Sequence, residues 1–478
     1  MSRRGPMGWL GERTPPELAA LAGGALVLGW LGWDLALWDP RQQLLLHAVA
    51  AVAVGGLAVA AVRGAELPRT PLDLPVLALI AGFAAATASA MNHGMSLRAM
   101  AAILATAAML PLLLLAIRHR PSWVGVLASL PVLVLALPSL AYLLWRRLDW
   151  VLAGAPGIPP LRLLNEGTPF GSVAVPPFMI WPAWVLAGLI EPPSVRRPIR
   201  IGLVAVGIPL TILSGSRSAW LAIGVTLLVA GVPWVWGRRH RLWPPGGLDP
   251  RQAVIGLGLL LLAGLAAMLV VPRLTAVTSL LYRAGLWRDS LAAWSTDPLL
   301  GIGPGFMPYA RQAAAADYSF PVRQPHSHNL PLGVLGDAGI VGLAAALGLV
   351  LAIAVVAGPW RARTANGRGA GLALLGLGVG GLFEDLTFLP NFNLLAIGLL
   401  ALALTDAGAV RWTRPPVAAW RRIALVGGTV LAAAALAPAV LLGDASAIAH
   451  RAGVDAWERG DPAAARNDLI LAASLDRW

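Results

Sequence analysis

The stretch 330–358, LPLGVLGDAGIVGLAAALGLVLAIAVVAG, holds one charged side chain, Asp337. An apolar run of about 20 residues is long enough to cross the hydrocarbon core of a bilayer as a helix. A helix is the form it must take there, because lipid offers no partner for an open backbone N–H or C=O. Such runs recur from one end of the chain to the other, roughly at 18–38, 43–62, 74–91, 97–117, 123–145, 173–190, 200–214, 218–236, 253–272, 330–358, 369–386, 391–407 and 422–443. The break SGSRSAW, Ser214 to Trp220, divides one long apolar stretch as a tight hairpin or a kink. The sequence therefore predicts an all-α, polytopic membrane helix bundle of about 12–13 transmembrane helices. One long helical loop and a short helical C-terminal tail complete it. Residues 1–443 form the membrane domain, with the loop at 273–329, and residues 444–478 form the tail.

Composition agrees with this and narrows the chemistry. Only 12% of the 478 residues are charged, against about 25% in soluble domains. A net charge of +13 would suit nucleic acid, but the arginines are scattered through loops between spans, as membrane topology demands. Nucleic acid is excluded on that ground. Every basic side chain other than histidine is Arg, so there is no lysine nucleophile, and cysteine is absent, so there is no thiolate. Arg is a permanently charged planar fork suited to phosphate. With the N-terminus in the cytoplasm, most arginines fall in inner segments and few in the short outer loops, which is the expected asymmetry. The loop 273–329 and the tail then face outward. MSRRGPMGWLGERTPPE precedes the first span without a clear cleavage site, so that span is expected to act as an uncleaved anchor.

The outer loop carries the chemistry-bearing residues. In YRAGLWRDSLAAWSTDPLLGIGPGF, Leu286, Trp287, Leu291 and Trp294 recur at helical spacing, which predicts a short amphipathic helix at the membrane surface. Arg283 and Trp287 share a face of it, while Arg288 points about 140° away from Arg283. TDPLLGIGPG ends the helix, and its glycines make a turn or admit a ligand close to the backbone. Next come His326, Ser327, His328 and Asn329 at the mouth of the run that opens with Leu330. The positive end of a helix dipole disfavours the charged imidazolium there, leaving the neutral ring a general base requires. Asn329 or Ser327 can cap the helix. A plain cap and a His-x-His metal pair are the other readings, but no carboxylate or cysteine stands beside them at ligand spacing. Arg217, squeezed between two spans, is a functional candidate by position, and Arg162 lies in the other sizeable outer loop, PPLRLLNEGTPFG. Asp337, about two turns into its span, and Glu384 and Asp385, at the outer end of another, read first as ion pairs that stabilise the bundle. Asp337 is kept as a supporting residue of the site.

Taken in order, LSGSRSAWLA, RAGLW, PLLGIGPGF, HSHN and LGDAGIVGL resemble the O-antigen ligase and O-antigen polymerase superfamily of bacterial envelope glycosyltransferases, over roughly residues 160–400. The resemblance implies a glycan donor on undecaprenyl diphosphate. It also implies an acceptor, lipid A-core or another glycan, on the periplasmic side of the bacterial inner membrane. By motif position His328, directly before Asn329, corresponds to the family's essential loop histidine. Arg217 and Arg283 correspond to its arginines. Arg162 is a looser match, because NEGTPFGS departs from the Asn-Pro-Asn-like pattern found there. The chemistry suits these residue types: Arg162, Arg217, Arg283 and Arg288 for the diphosphate, His328 for the acceptor proton, and His326, Asn329 and Asp337 in support. No cofactor or metal is expected, since there is no P-loop or dinucleotide fingerprint and Arg does the phosphate work. A single displacement would invert the anomeric centre.

Three acceptor classes stay open within this reading: lipid A-core for a ligase, a growing glycan for a polymerase, a protein for an oligosaccharyltransferase. From another class, a transporter would use charges near the bilayer midplane and paired interrupted spans; a scaffold would leave the Arg and His set without a purpose. In the tail, Gly453, Ala456, Gly460, Ala465, Leu469 and Ala472 fall at tetratricopeptide-repeat spacing, with Gly460-Asp461-Pro462 as the turn. One such unit cannot bury its own face, so it either packs on the membrane domain or belongs to a longer array.

Overall fold

The computed structural model of the chain describes residues 66–90, 93–154, 175–214, 216–242, 273–305, 327–384, 390–413 and most of 441–475, with isolated positions elsewhere. Among the described residues, apolar runs become helices almost throughout: α1 (Asp73–Ala88), α2 (His93–His119), α3 (Pro121–Leu152), α4 (Val175–Leu186), α5 (Pro193–Ser214), α6 (Arg217–Leu242), α7 (Arg273–Trp294), α8 (Leu330–Ala357), α9 (Ala365–Gly381), α10 (Pro390–Asp406) and α11 (Pro462–Leu475). A two-stranded antiparallel ribbon joins β1 (Leu67–Arg69) to β2 (Arg411–Thr413), with Leu67 opposite Thr413 and Arg69 opposite Arg411. The protein is an all-α membrane helix bundle. Among the described residues, Ser96–His119, Pro121–Leu152 and Leu330–Arg361 are long and apolar enough to cross a membrane, and four shorter apolar helices accompany them. The expected spans at 18–38, 43–62, 253–272 and 422–443 lie outside the described residues or nearly so. The SGSRSAW break separates α5 from α6. α5 packs on α3 and α4, whereas α6 packs on α9.

The core lies where α2, α3, α4, α5 and α10 meet, around Leu112, Leu113, Val132, Met179, Leu186, Leu203, Leu210 and Leu399, all essentially inaccessible. The outward faces are apolar as well. Leu347, Val350, Leu351 and Val355 of α8 and Val134 and Leu137 of α3 are exposed, the pattern of helices solvated by lipid rather than water. Prolines sit inside α2, α3, α4 and α5; membrane helices tolerate them because neighbours and side chains re-satisfy the freed carbonyls.

Two ends of the bundle are distinguishable. At one, Arg118 bonds Glu66 at 3.1 Å and lies 4.2 Å over the Trp412 ring, next to the β-ribbon. The Asp406 carboxylate gathers Arg363 N, Thr364 N and Thr364 Oγ1, tying the start of α9 to the end of α10. These are segments expected on the inner side, and the fold brings them together. Residues 327–329 and Glu384 lie at the opposite end, where α8 starts and α9 stops.

The run 330–358 is helical but not continuous. Gly339 adopts φ 62°, ψ −163°, a break inside α8. A break leaves carbonyls and amides without helical partners, and here the turn after α7 supplies them. Ile302 N donates to Gly336 O and Gly303 N to Asp337 O, while Ile340 N and Val341 N donate to Pro298 O and Leu299 O, all at 3.0–3.2 Å. PLLGIGPG and LGDAGIVG are thus two halves of one device. A Cβ at Gly301 would sit 2.6 Å from Gly336 O, and one at Gly339 would collide with Leu299 O. Gly339→Ala adds that collision to a backbone region essentially reserved for glycine, which costs of order 1–3 kcal/mol. A clear fall in melting temperature in detergent is expected for Gly339→Ala. Gly348→Ala on the same helix, where a Cβ meets nothing within 4 Å, should leave it unchanged or slightly raised.

The tail forms a helical hairpin. Residues 448–457 are helical, Gly460 turns the chain at φ 77°, and Asp461 caps α11 by accepting from Ala464 N at 3.0 Å. Ser446 Oγ donates to Ala472 O at 2.9 Å, and Ala456 and Ala465 are buried between the two helices.

Candidate active site

α7 delivers its residues in pairs four apart, as the helical period requires. Arg283 reaches the Glu384 carboxylate through Oε1, and Trp287 Nε1 donates to Ser327 O at 3.1 Å. α7 therefore braces the segment that precedes α8. Arg288 projects elsewhere, 72% exposed and paired with its neighbour Asp289, so it is not among the groups that meet at Glu384.

The Ser327–Asn329 segment is held on both sides of the histidine. Asn329 is the N-cap of α8, its Oδ1 accepting from Leu332 N at 2.9 Å, and its Nδ2 donates to Leu382 O at 3.0 Å. Ser327, buried, donates through Oγ to Asn329 O at 2.7 Å. Between them His328 takes φ 52°, a left-handed conformation that costs an L residue about 1–2 kcal/mol. The expected cap is therefore present, but Asn329 performs it, and His328 is left to be aimed by the strained backbone.

Its target is Glu384. The turn closing α9 presents that residue, Glu384 N donating to Gly380 O at 2.9 Å. His328 Nδ1 lies 2.8 Å from Glu384 Oε2, and the Tyr282 ring stands edge-on to the imidazole with centroids 6.5 Å apart. Side-chain exposure is 20% for Arg283, 19% for His328 and 11% for Glu384. Burial by itself would push the Glu384 carboxyl up. The His328 hydrogen bond and the Arg283 charge outweigh it and hold the group below its ordinary value. Glu384 is thus a carboxylate at neutral pH and can only accept, so His328 Nδ1 carries the hydrogen. In the neutral ring the lone pair then belongs to Nε2.

A carboxyl group with a lowered folded value contributes stability that is complete above its unfolded value, about 4.3, and lost as pH falls through the folded one. The melting temperature of the detergent-solubilised protein should fall as pH drops below about 4, and Glu384→Gln should lack that component. An unchanged acid dependence in the variant would remove Glu384 as its source.

Of the residues that the sequence marked, the structure joins Arg283 and His328, with Asn329 as their support. Asp337 sits beside the break in α8, its carbonyl bonded to Gly303 N. Arg217 opens α6, which packs along α9, the helix whose end presents Glu384; the Arg217 side chain, Arg162, His326 and Asp385 lie outside the described residues. Among the described residues, no three of His, Asp and Glu gather as a metal site would need. Glu384 was expected to be half of an ion pair. It is one, but with the two residues marked for chemistry. The only signal for that in the sequence was a charge at the end of an apolar run.

A polytopic helical membrane protein with an arginine, a carboxylate and a histidine converging at one end of its bundle is the class that these observations define. Residues 202–347 match the family model described as O-antigen ligase, which supports the expected O-antigen ligase and polymerase superfamily over that segment. The match runs from α5 into α8 and takes in Arg217, Arg283, His328, Asn329 and Asp337; Glu384 lies beyond it. No curated protein matches the chain. The match supports glycan transfer of the O-antigen ligase and polymerase type in general, in a membrane-embedded protein.

Proposed function

We propose that the protein transfers a glycan from undecaprenyl diphosphate to an acceptor hydroxyl at the periplasmic face of the bacterial inner membrane, with lipid A-core as the acceptor, by metal-independent inversion. His328 Nε2 takes the acceptor proton as its oxygen attacks the anomeric carbon. The bond from that carbon to the phosphate oxygen breaks, and its electron pair leaves with undecaprenyl diphosphate. Arg283, with Arg217 and Arg162, holds the diphosphate and neutralises the charge that grows on it; charge developing in the transition state is where fixed cations act most strongly. The observation that carries this reading is the contact of His328 and Arg283 with one carboxylate, since it joins a base to a phosphate ligand inside an O-antigen ligase domain. Against transport stands the gathering of these charges at helix ends rather than at the midplane. The tail hairpin, read as tetratricopeptide-like, would serve acceptor or partner binding.

The test is reconstitution of purified protein in liposomes with a synthetic undecaprenyl-diphosphate glycan, offering lipid A-core, the same donor as acceptor, or an acceptor protein. Mass spectrometry should find glycan on lipid A-core, and NMR of the product an inverted anomeric configuration. Elongated donor or glycosylated protein would reassign the acceptor, and a retained configuration would remove the single displacement.

A further inference from the structure

The Glu384 carboxylate has two oxygens, and each is committed to a different partner. Oε1 receives Arg283 and Oε2 lies 2.8 Å from His328 Nδ1. We propose that Glu384 is a positioning residue that couples donor binding to the base: diphosphate arriving at Arg283 draws the guanidinium charge off Oε1, and the carboxylate then acts more fully on His328. The proposal rests on the reading of Arg283 as a diphosphate ligand and His328 as the base.

The physical basis is competition for one cation. With no donor, Arg283 compensates a carboxylate that is largely buried, and such a carboxylate is costly without a partner. A diphosphate offers the same guanidinium more negative charge in bidentate geometry. As Arg283 shares itself, Glu384 keeps its hydrogen bond from Nδ1–H, and its uncompensated charge favours the imidazolium that forms when Nε2 takes a proton. The base is then strongest when a donor is present, and weaker when only water could be activated. Coupling of this kind is reciprocal. Among the described residues, Tyr282 of α7 stands edge-on to the imidazole, and Glu384, from the turn after α9, meets it at Nδ1 while holding Arg283 of α7 on its other oxygen. Glu384 touches both the imidazole and the guanidinium.

Glu384→Gln, Glu384→Asp and wild type, each full-length in nanodiscs, separate this from a merely structural role. Two quantities are read: binding of the undecaprenyl-diphosphate glycan without acceptor, and kcat with acceptor from about pH 5 to 9. Glu384→Gln should lose roughly 10²-fold or more in kcat, while donor binding is kept or tightened, because Arg283 is released from its competitor. Its acid limb should move to lower pH, and Glu384→Asp should recover part of the rate. A structural role would instead lower donor binding, kcat and thermal stability together, with the shape of the pH profile unchanged; that result overturns the proposal. So does a Glu384→Gln enzyme with wild-type kcat. If Glu384→Gln does not fold, Glu384→Asp must still shift the acid limb without weakening donor binding, and its failure to do so counts equally against the coupling. Wild type inactive with every donor and acceptor pair would refute the proposed function instead, a separate outcome.

Discussion

His328→Ala is expected to lower glycan transfer by roughly 10²–10⁴-fold, the span that a positioned general base contributes, while binding of the lipid-linked donor persists. The separation follows from where the side chain points. Its Nδ1 is taken by Glu384, which leaves Nε2 for the acceptor under the proposed function, with the diphosphate on the arginines. Alanine carries a complication: position 328 has φ 52°, and a β-carbon without a polar side chain is poorly suited to that region. Asn tolerates it, as His does, so His328→Asn removes the imidazole while keeping the backbone and the Asn329 cap. Both variants should be inactive, and His328→Asn should melt close to wild type. Transfer by His328→Asn at the wild-type rate, measured with synthetic donor and lipid A-core, would withdraw the base from this residue. His326→Ala should be milder, because the proposed function gives the proton transfer to His328.

Local pattern carried much of this. The lengths of the apolar runs gave the helices, and i, i+4 spacing gave the shared face of Arg283 and Trp287. Asn329 before Leu330 gave the cap. Two features stayed hidden for physical reasons. The break in α8 falls within an unbroken apolar run, where hydropathy cannot mark it. Its cause is a positive-φ glycine whose freed carbonyls and amides are met by a segment some forty residues earlier in the chain. PLLGIGPG could be read as a turn, but not as the partner of LGDAGIVG, because the pairing exists only after both segments are in place. Glu384 was hidden differently. Its partners stand 56 and 101 residues away, beyond any spacing rule. A carboxylate at the end of an apolar helix reads as bundle stabilisation unless one knows that its ion pair closes on the histidine.

Arg283→Ala should weaken donor binding by roughly 10–100-fold, the effect of losing a charge-assisted hydrogen bond of about 1.5–3 kcal/mol, and should lower kcat further still. The two losses differ in origin. Binding falls because the ground-state diphosphate loses a cation. The rate falls more because the bridging oxygen gains charge as the glycosyl bond breaks, and because an active site that excludes water makes a fixed cation worth more at that moment. Glu384 adds a third consequence. Without Arg283 its buried carboxylate keeps, among the described residues, His328 alone, and breaking a buried pair is destabilising by about 3–5 kcal/mol; the variant should also melt at lower temperature. Arg283→Lys keeps the charge but not the fork that reaches a carboxylate and a phosphate together. It should therefore rescue stability more than transfer. The decisive comparison is the double variant Arg283→Ala with Glu384→Gln. Removing both partners leaves no uncompensated charge, so stability should recover toward wild type while donor binding stays low. If donor binding recovers along with stability, Arg283 serves the fold and not the diphosphate, and the ligand of the phosphates must be sought among the other arginines.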